Sequence, residues 1–199
     1  MLNTEQQLLK IIADMEGTPS GAYNIRANGA LAERKVTENI DIRTKEDKSG
    51  IDIIIRAGTK GETVHIPVII SETGINDLVY NDFIIGEDAD VTIMAGCGIH
   101  NCGSEESRHD GIHTFFVGKN AKVKYIERHY GEGTGEGKRN MNPTSVIHVA
   151  EGGYMEMETT QISGIDDTSR VTKAVVEKDG TLVIREKLLT EGVQRAETD

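Results

Sequence analysis

The sequence predicts an all-β fold, a parallel β-helix or a closely related β-roll, preceded by one short α-helix. Three observations carry this. Ile and Val together number 37 against 8 Leu, and branching at Cβ favours strands over helices. Aromatic residues are scarce, with five Tyr, three Phe and no Trp, so the core must be stacked aliphatics and not the ring-rich filling of a conventional sandwich. Finally, a strand–turn–strand unit recurs. Phe83-Ile84-Ile85, Phe115-Phe116-Val117, Ile147-His148-Val149 and Ala174-Val175-Val176 each precede a four-residue turn carrying Asp, Asn or Gly. A second alternating strand follows each turn. Ile85, Val117, Val149 and Val176 are separated by 32, 32 and 27 residues. A unit that cannot bury its apolar face alone signals a solenoid.

A sandwich of successive hairpins would also repeat this way. The near-constant period and the few aromatics favour the solenoid. Intervals near 32 exceed a typical single coil, so each is expected to contain an extra strand or an insertion.

The elements follow in order. Thr4 with Gln7 three residues on forms a capping-box pattern. Leu8, Ile11, Ile12 and Met15 make an apolar stripe, and Gly17 supplies the stop, giving a helix of about three turns. Strands then flank the Asn28-Gly29 turn signal. Ile40 and Ile42 alternate, Lys45 to Gly50 is a polar break, and Ile51, Ile53 and Ile55 resume the period of two. Val64 to Ile70 continue it, with Pro67 pointing to an edge or a bulge. Residues 1–19 are expected as a helical lead and 20–199 as one β-helix domain.

Charge and hydropathy narrow the function. Acids outnumber bases 33 to 22, a formal charge of −11. That argues against a nucleic-acid grip or an anionic membrane surface, both of which need clustered Lys and Arg. No apolar run approaches the ~18–20 residues of a membrane span, and the N-terminus carries no secretory pattern. A soluble, cytoplasmic protein is expected. Two Cys in such a chain do not suggest a disulfide framework.

The densest chemistry lies between Ala95 and His113. Cys97, His100, Cys102, His109 and His113 fall within 17 residues, a set of soft and borderline donors suited to zinc, iron or an iron–sulfur centre. Gly96, Gly98 and Gly103 are expected to let the backbone turn several of them toward one point. The spacing differs from the paired C-x-x-C of zinc ribbons, and a core Cys97 among surface histidines stays an alternative. Gly131 to Gly137 followed by Lys138-Arg139 is glycine-rich, yet it fails the phosphate-loop pattern at the first glycine and at the hydroxyl. A flexible surface loop is expected there. His148 replaces an apolar residue of the repeat and is expected to face outward, as are Glu156 and Glu158. Met155 and Met157 are expected in the core, in register with Leu182 and Ile184.

Together the F-h-h-G-x-[DN]-A-x-V-x-h units, VGKNAKVKYIERHYGEG and SxxTKAVVEKDGTLVIREKLL resemble the SufB/SufD family of iron–sulfur cluster assembly proteins. AGCGIHNCG…HDGIH is similar to its short SufB-type members. The resemblance covers the chain from about residue 20 onward. It implies a right-handed parallel β-helix, a homodimer or a dimer with a related SufB/SufD subunit, and a SufC-type ABC ATPase partner. It also implies a scaffold, not an enzyme, on which iron and sulfide become a nascent cluster. The family's cluster-holding residues include Cys with His and Glu nearby, late in the β-helix of long members. No Cys follows Cys102 here, so placing the cluster on Cys97, Cys102 and His100, with His109 and His113 as further metal ligands, rests on local chemistry. The C-terminal helical part that docks the ATPase in the family is not expected in these residues. The competing readings are a zinc-binding protein or metal-dependent enzyme, and a metal-free structural β-helix.

Overall fold

A computed structural model describes residues 3–199; Met1 and Leu2, part of the expected helical lead, lie outside the described residues. The chain begins with α1 (Asn3–Ala13), then a hairpin of β1 (Ala22–Ala27) and β2 (Ala30–Lys35). Asn28 and Gly29 turn that hairpin with φ of 48° and 81°, the left-handed pair that a two-residue hairpin requires. A second antiparallel pair follows, β3 (Ile40–Thr44) with β4 (Gly50–Ile55).

From β4 onward the chain winds as a parallel solenoid. Its strands are β5 (Lys60–Ile70), β6 (Asn76–Ile85), β7 (Asp90–His100), β8 (Ser107–Val117), β9 (Lys122–Glu132) and β10 (Arg139–Met141). They continue with β11 (Thr144–Val149), β12 (Tyr154–Ser163), β13 (Asp167–Val176), β14 (Thr181–Leu188) and β15 (Gln194–Thr198). Apart from β10 and β11, which share one sheet, successive strands alternate between two sheets. One runs β14-β12-β9-β7-β5-β1-β2 and the other β10-β13-β11-β8-β6-β4-β3, with β15 beside β13. The all-β parallel β-helix is therefore the observed architecture. β2 and β3 end the sheets on the N-terminal side as antiparallel strands, which breaks the parallel pattern at those edges.

The repeat starts one coil earlier than the four units found by eye. Ile53-Ile54-Ile55 pairs residue for residue with Phe83-Ile84-Ile85, and Arg56-Ala57-Gly58-Thr59 forms the first turn. In every turn the third residue is left-handed: Gly58 (73°), Asp88 (58°), Asn120 (53°), Gly152 (66°) and Asp179 (57°). Gly, Asn and Asp tolerate that region best, which is why the turns carry them. The N–H of each of the first four donates to the next coil's turn, Gly58 to Glu87, Asp88 to Lys119, Asn120 to Glu151 and Gly152 to Lys178, at 2.8–3.1 Å. The long intervals arise largely from strand length. β7, β8 and β9 each span 11 residues, and the one inserted strand is the short β10, which shares the β8 edge with β11.

Inside, side chains stack rung on rung. Phe83 and Phe115 lie parallel with centroids 4.5 Å apart, and Tyr125 meets Phe115 edge-on at 4.9 Å. Met155 and Met157 pair with Leu182 and Ile184 as expected. Around them Ile53, Ile85, Val91, Ile93, Val117, Val123 and Ile147 form the main core. At the opposite end of each coil, Val68, Ile70, Ile99, Met141 and Ile165 form a second apolar cluster with Cys97.

The helix covers the outside of one sheet. Leu8, Leu9, Ile12, Ala13 and Met15 pack on Tyr23, Ile25 and Ile69, with Ile11 partly buried against the same cluster, so the expected stripe is widened by Leu9 and Ala13. The helix ends at Ala13, ahead of Gly17, because Asp14 takes a left-handed φ of 52° and its carboxylate pairs with Arg128 at 2.6 Å. Pro67 sits inside a sheet, not at its edge; the β1–β2 ladder breaks register beside it at Ile25/Arg26.

Candidate functional site

Alternation along a strand settles which side chains enter the solenoid. On β8 the parity of Phe115 and Val117 carries His113, Gly111 and His109 inward. On β9 the parity of Val123 and Tyr125 carries Glu127 and His129 inward, and on β7 that of Ile93 carries Ala95 and Cys97. Register then brings these residues level: Asn81 with His113 and Ser145, Ala95 with Glu127 and Thr159, Cys97 with His129 and Gln161, Asp77 with His109 and Met141. The outcome is a buried polar band between the two apolar clusters.

Glu127 is its centre. Its Oε1 accepts from the Tyr125 hydroxyl at 3.0 Å and lies 3.6 Å from His129 Nε2. Its Oε2 accepts from Arg170 and from Thr159, both at 3.3 Å. Arg170 reaches outward to Glu186 at 3.0 Å. Burial alone would raise the Glu127 pKa, but His129, Arg170 and His113 outweigh it and hold the carboxyl well below its usual range. Asp77 behaves alike: burial opposes ionisation, while His109 and the fork of Arg26 win.

Two groups stay neutral. Burial pushes the Cys97 thiol well up, and the negative charges of Asp77 and Glu127 add to it. Burial drives His113 down to about 4, against the pull of Glu127; its Nδ1 is 3.0 Å from the Tyr125 hydroxyl. Nδ1 of His129 and Nη1 of Arg170 are buried with no hydrogen-bond partner among the described residues. Cys97, His109, His113, Glu127 and His129 line a cavity of about 20 Å³, room for one water-sized species. Gly111 keeps it open, because a Cβ there would meet His113 Nε2 at 2.9 Å and His109 Nε2 at 3.3 Å.

The five expected ligands divide into two places. Cys97, His109 and His113 line the interior cavity. Cys102 is exposed, and its Sγ lies 3.1 Å from His100 Nε2 in the turn after β7. Among the described residues no three His, Cys, Asp or Glu side chains converge as a metal-holding group. Gly96 and Gly98 do not bend the chain toward a common point, since both lie in β7 on its outward face. A Cβ at Gly96 would meet the Ile12 carbonyl at 2.8 Å, and one at Gly98 would meet Leu8 at 3.1 Å, so these glycines form the floor on which α1 rests.

The Gly131–Gly137 segment is not a free loop either. Gly135 and Gly137 donate to Asn101 and Gly103 carbonyls at 3.1 and 2.9 Å, stacking this turn on the one below. His148 faces outward as expected, stacked on Phe116 at 5.4 Å. Asp77, Glu127, His129 and Arg170 escaped the sequence reading; the signal for them was strand parity carried on past the last apolar residue.

Two curated relatives match this chain. An iron–sulfur cluster assembly SufBD family protein of Methanocaldococcus jannaschii is 27% identical over 149 residues, covering 73% of this chain and 46% of its own length. One of Archaeoglobus fulgidus is 30% identical over 141 residues, covering 69% of this chain and 36% of its own. These two matches support membership of the SufB/SufD family for this chain. The chain spans less than half the length of these SufBD relatives. No family model and no solved structure matches it. No helix among the described residues is long and apolar enough to cross a membrane.

Proposed function

We propose that this chain is the β-helix portion of an iron–sulfur cluster assembly scaffold. In this reading the interior set of Cys97, His109, His113, Glu127 and His129 handles iron and sulfide as cargo. The supporting observation is the polar band itself. A solenoid kept only for shape would fill those rungs with aliphatics, because each buried polar group costs free energy unless partnered. Here a buried ionised carboxylate, a thiol and three imidazoles share one cavity, and His129 Nδ1 has no hydrogen-bond partner among the described residues. At rest the cavity has room for one ion or one sulfide. Cys97 rests as the protonated thiol, so it becomes a ligand only when an arriving cation displaces its proton. Both relatives are named as iron–sulfur cluster assembly proteins, which supports the same reading. A SufC-type ABC ATPase and a second SufB/SufD-type subunit are the partners this proposal entails, in the cytoplasm.

Anaerobic reconstitution with ferrous iron and sulfide tests it, read as visible charge-transfer absorption. The wild type is expected to develop the absorption, Cys97→Ser to lose it, and Cys102→Ser to keep most of it. No absorption in the wild type, or an unchanged spectrum in Cys97→Ser, overturns the proposal.

A further inference from the structure

The turn after β7 carries an arrangement that the cargo-handling reading leaves unused. His100 ends β7 and Glu132 ends β9, and the two are neighbours in register. The His100 ring lies between two groups: Nε2 is 3.1 Å from Cys102 Sγ, and Nδ1 is 3.1 Å from Glu132 Oε1. The second oxygen of Glu132 accepts from the Tyr130 hydroxyl at 3.2 Å. Thr134, two residues past Glu132, donates its hydroxyl toward Cys102 Sγ at 3.8 Å.

Thiol and carboxylate meet opposite edges of the imidazole, so the three groups form a relay and do not converge on one ion. A relay in this order lets the imidazole take the thiol proton while the carboxylate fixes its tautomer and orientation. With Nδ1–H donated to Glu132, Nε2 is the free acceptor facing the sulfur.

A second observation concerns the frame. Asn101, between His100 and Cys102, is fully buried. Its side-chain amide donates to the Glu105 and Gly137 carbonyls at 2.8 and 3.1 Å, and its Oδ1 accepts from Thr73 and from the Gly103 N–H, both at 3.0 Å. The turn is thereby clamped to the coils on either side, with Cys102 held out in solvent. Cys97, five residues earlier, in β7, is buried and its thiol pKa raised. The two cysteines are thus of opposite kinds.

We propose that Cys102, His100 and Glu132 form an exchange site at which the Cys102 thiol captures a small disulfide. His100 acts as the base and Glu132 as the positioning residue. The proton leaves Sγ for His100 Nε2, and the resulting thiolate attacks one sulfur of the disulfide. A new S–S bond joins Cys102 to that sulfur as the old S–S bond breaks. The departing thiolate carries off the electron pair and takes the proton from His100. No metal enters, and the disulfide itself is the oxidant, one of its sulfurs leaving reduced as the thiol, so the site stands apart from the iron–sulfur reading.

The test is the rate at which the intact chain forms a mixed disulfide with 5,5′-dithiobis(2-nitrobenzoate) at pH 6, with peptide mapping of the labelled cysteine. Wild type is expected to label at Cys102, and His100→Gln to react roughly tenfold more slowly, because the thiol loses the positioned acceptor for its proton. Glu132→Gln is expected to slow the reaction and Glu132→Asp to recover part of the loss, which a merely structural carboxylate would not do. All three positions are solvent-accessible, and circular dichroism checks that each variant folds. Labelling at Cys97, or an unchanged rate in His100→Gln or Glu132→Gln, overturns the proposal. Failure here leaves the reconstitution result at Cys97 untouched.

Discussion

The two halves of each coil's interior are built from the same strands and filled in opposite ways. On β8, Phe115 and Val117 sit in the aliphatic and aromatic stack, while His113 and His109, on the same face of the same strand, lie in the polar band. On β9 the change falls between Tyr125 and Glu127. The backbone ladder is indifferent to this, since its hydrogen bonds run unbroken through both halves. Shape therefore comes from the ladder and the turns, stability from the half beside the turns, and chemistry from the half away from them.

Breaking the apolar half should have the largest effect. Phe115→Ala removes the ring stacked on Phe83 and is expected to cost about 3–5 kcal/mol, read as the urea unfolding midpoint. A loss below about 1 kcal/mol would mean that the stack is not the main source of stability.

The polar half should be sensitive to acid. His113 has a folded-state pKa of about 4 against an ordinary 6.5, mainly through burial. The fold keeps its neutral form, so its contribution is complete above pH 6.5 and is lost as the pH falls from 6.5 to 4. The full loss is on the order of 3 kcal/mol. Glu127 stays ionised through this window, because its pKa is held well below the usual carboxylate range. Unfolding midpoints at pH 7, 6 and 5 should fall for the wild type and flatten for His113→Gln. Equal slopes in the two proteins would assign the acid sensitivity elsewhere.

The smallest effect belongs outside. Phe116 neighbours Phe115 in sequence, yet it is 44% exposed on the outer sheet face against His148. Phe116→Ser should change stability by no more than about 0.5 kcal/mol. A cost approaching that of Phe115→Ala would show that the outer face is covered in solution.

The same contrast explains what the sequence made legible. Turns and core rungs were readable, because Asp, Asn or Gly at a left-handed position and β-branched residues at alternate positions each answer to a local rule. The first coil went unnoticed only because Arg56-Ala57-Gly58-Thr59 varies the turn. Half of the site was hidden by its own polarity. Glu127 and His129 carry the polarity that normally marks the wet face, although Val123 and Tyr125 fix an inward parity for both. Glycine misled in another way: Gly96 and Gly98 suggested a bent, ligand-gathering turn, and their need is clearance for Ile12 and Leu8. Arg170, 43 residues from Glu127 in sequence, was beyond any local pattern.

The turn ladder also sets which changes of length the molecule can absorb. Each of the first four left-handed turn residues hands its N–H to the following coil by the same bond, so one coil is interchangeable with the next as a mating surface. Duplication or loss of a whole coil of about 30 residues would leave every join intact and lengthen or shorten the polar band by one rung. Inserting a single residue within a strand would instead turn every later side chain of that strand inside out. Lineages descended from this fold should therefore differ in length by whole coils, with the cavity lengthening in step.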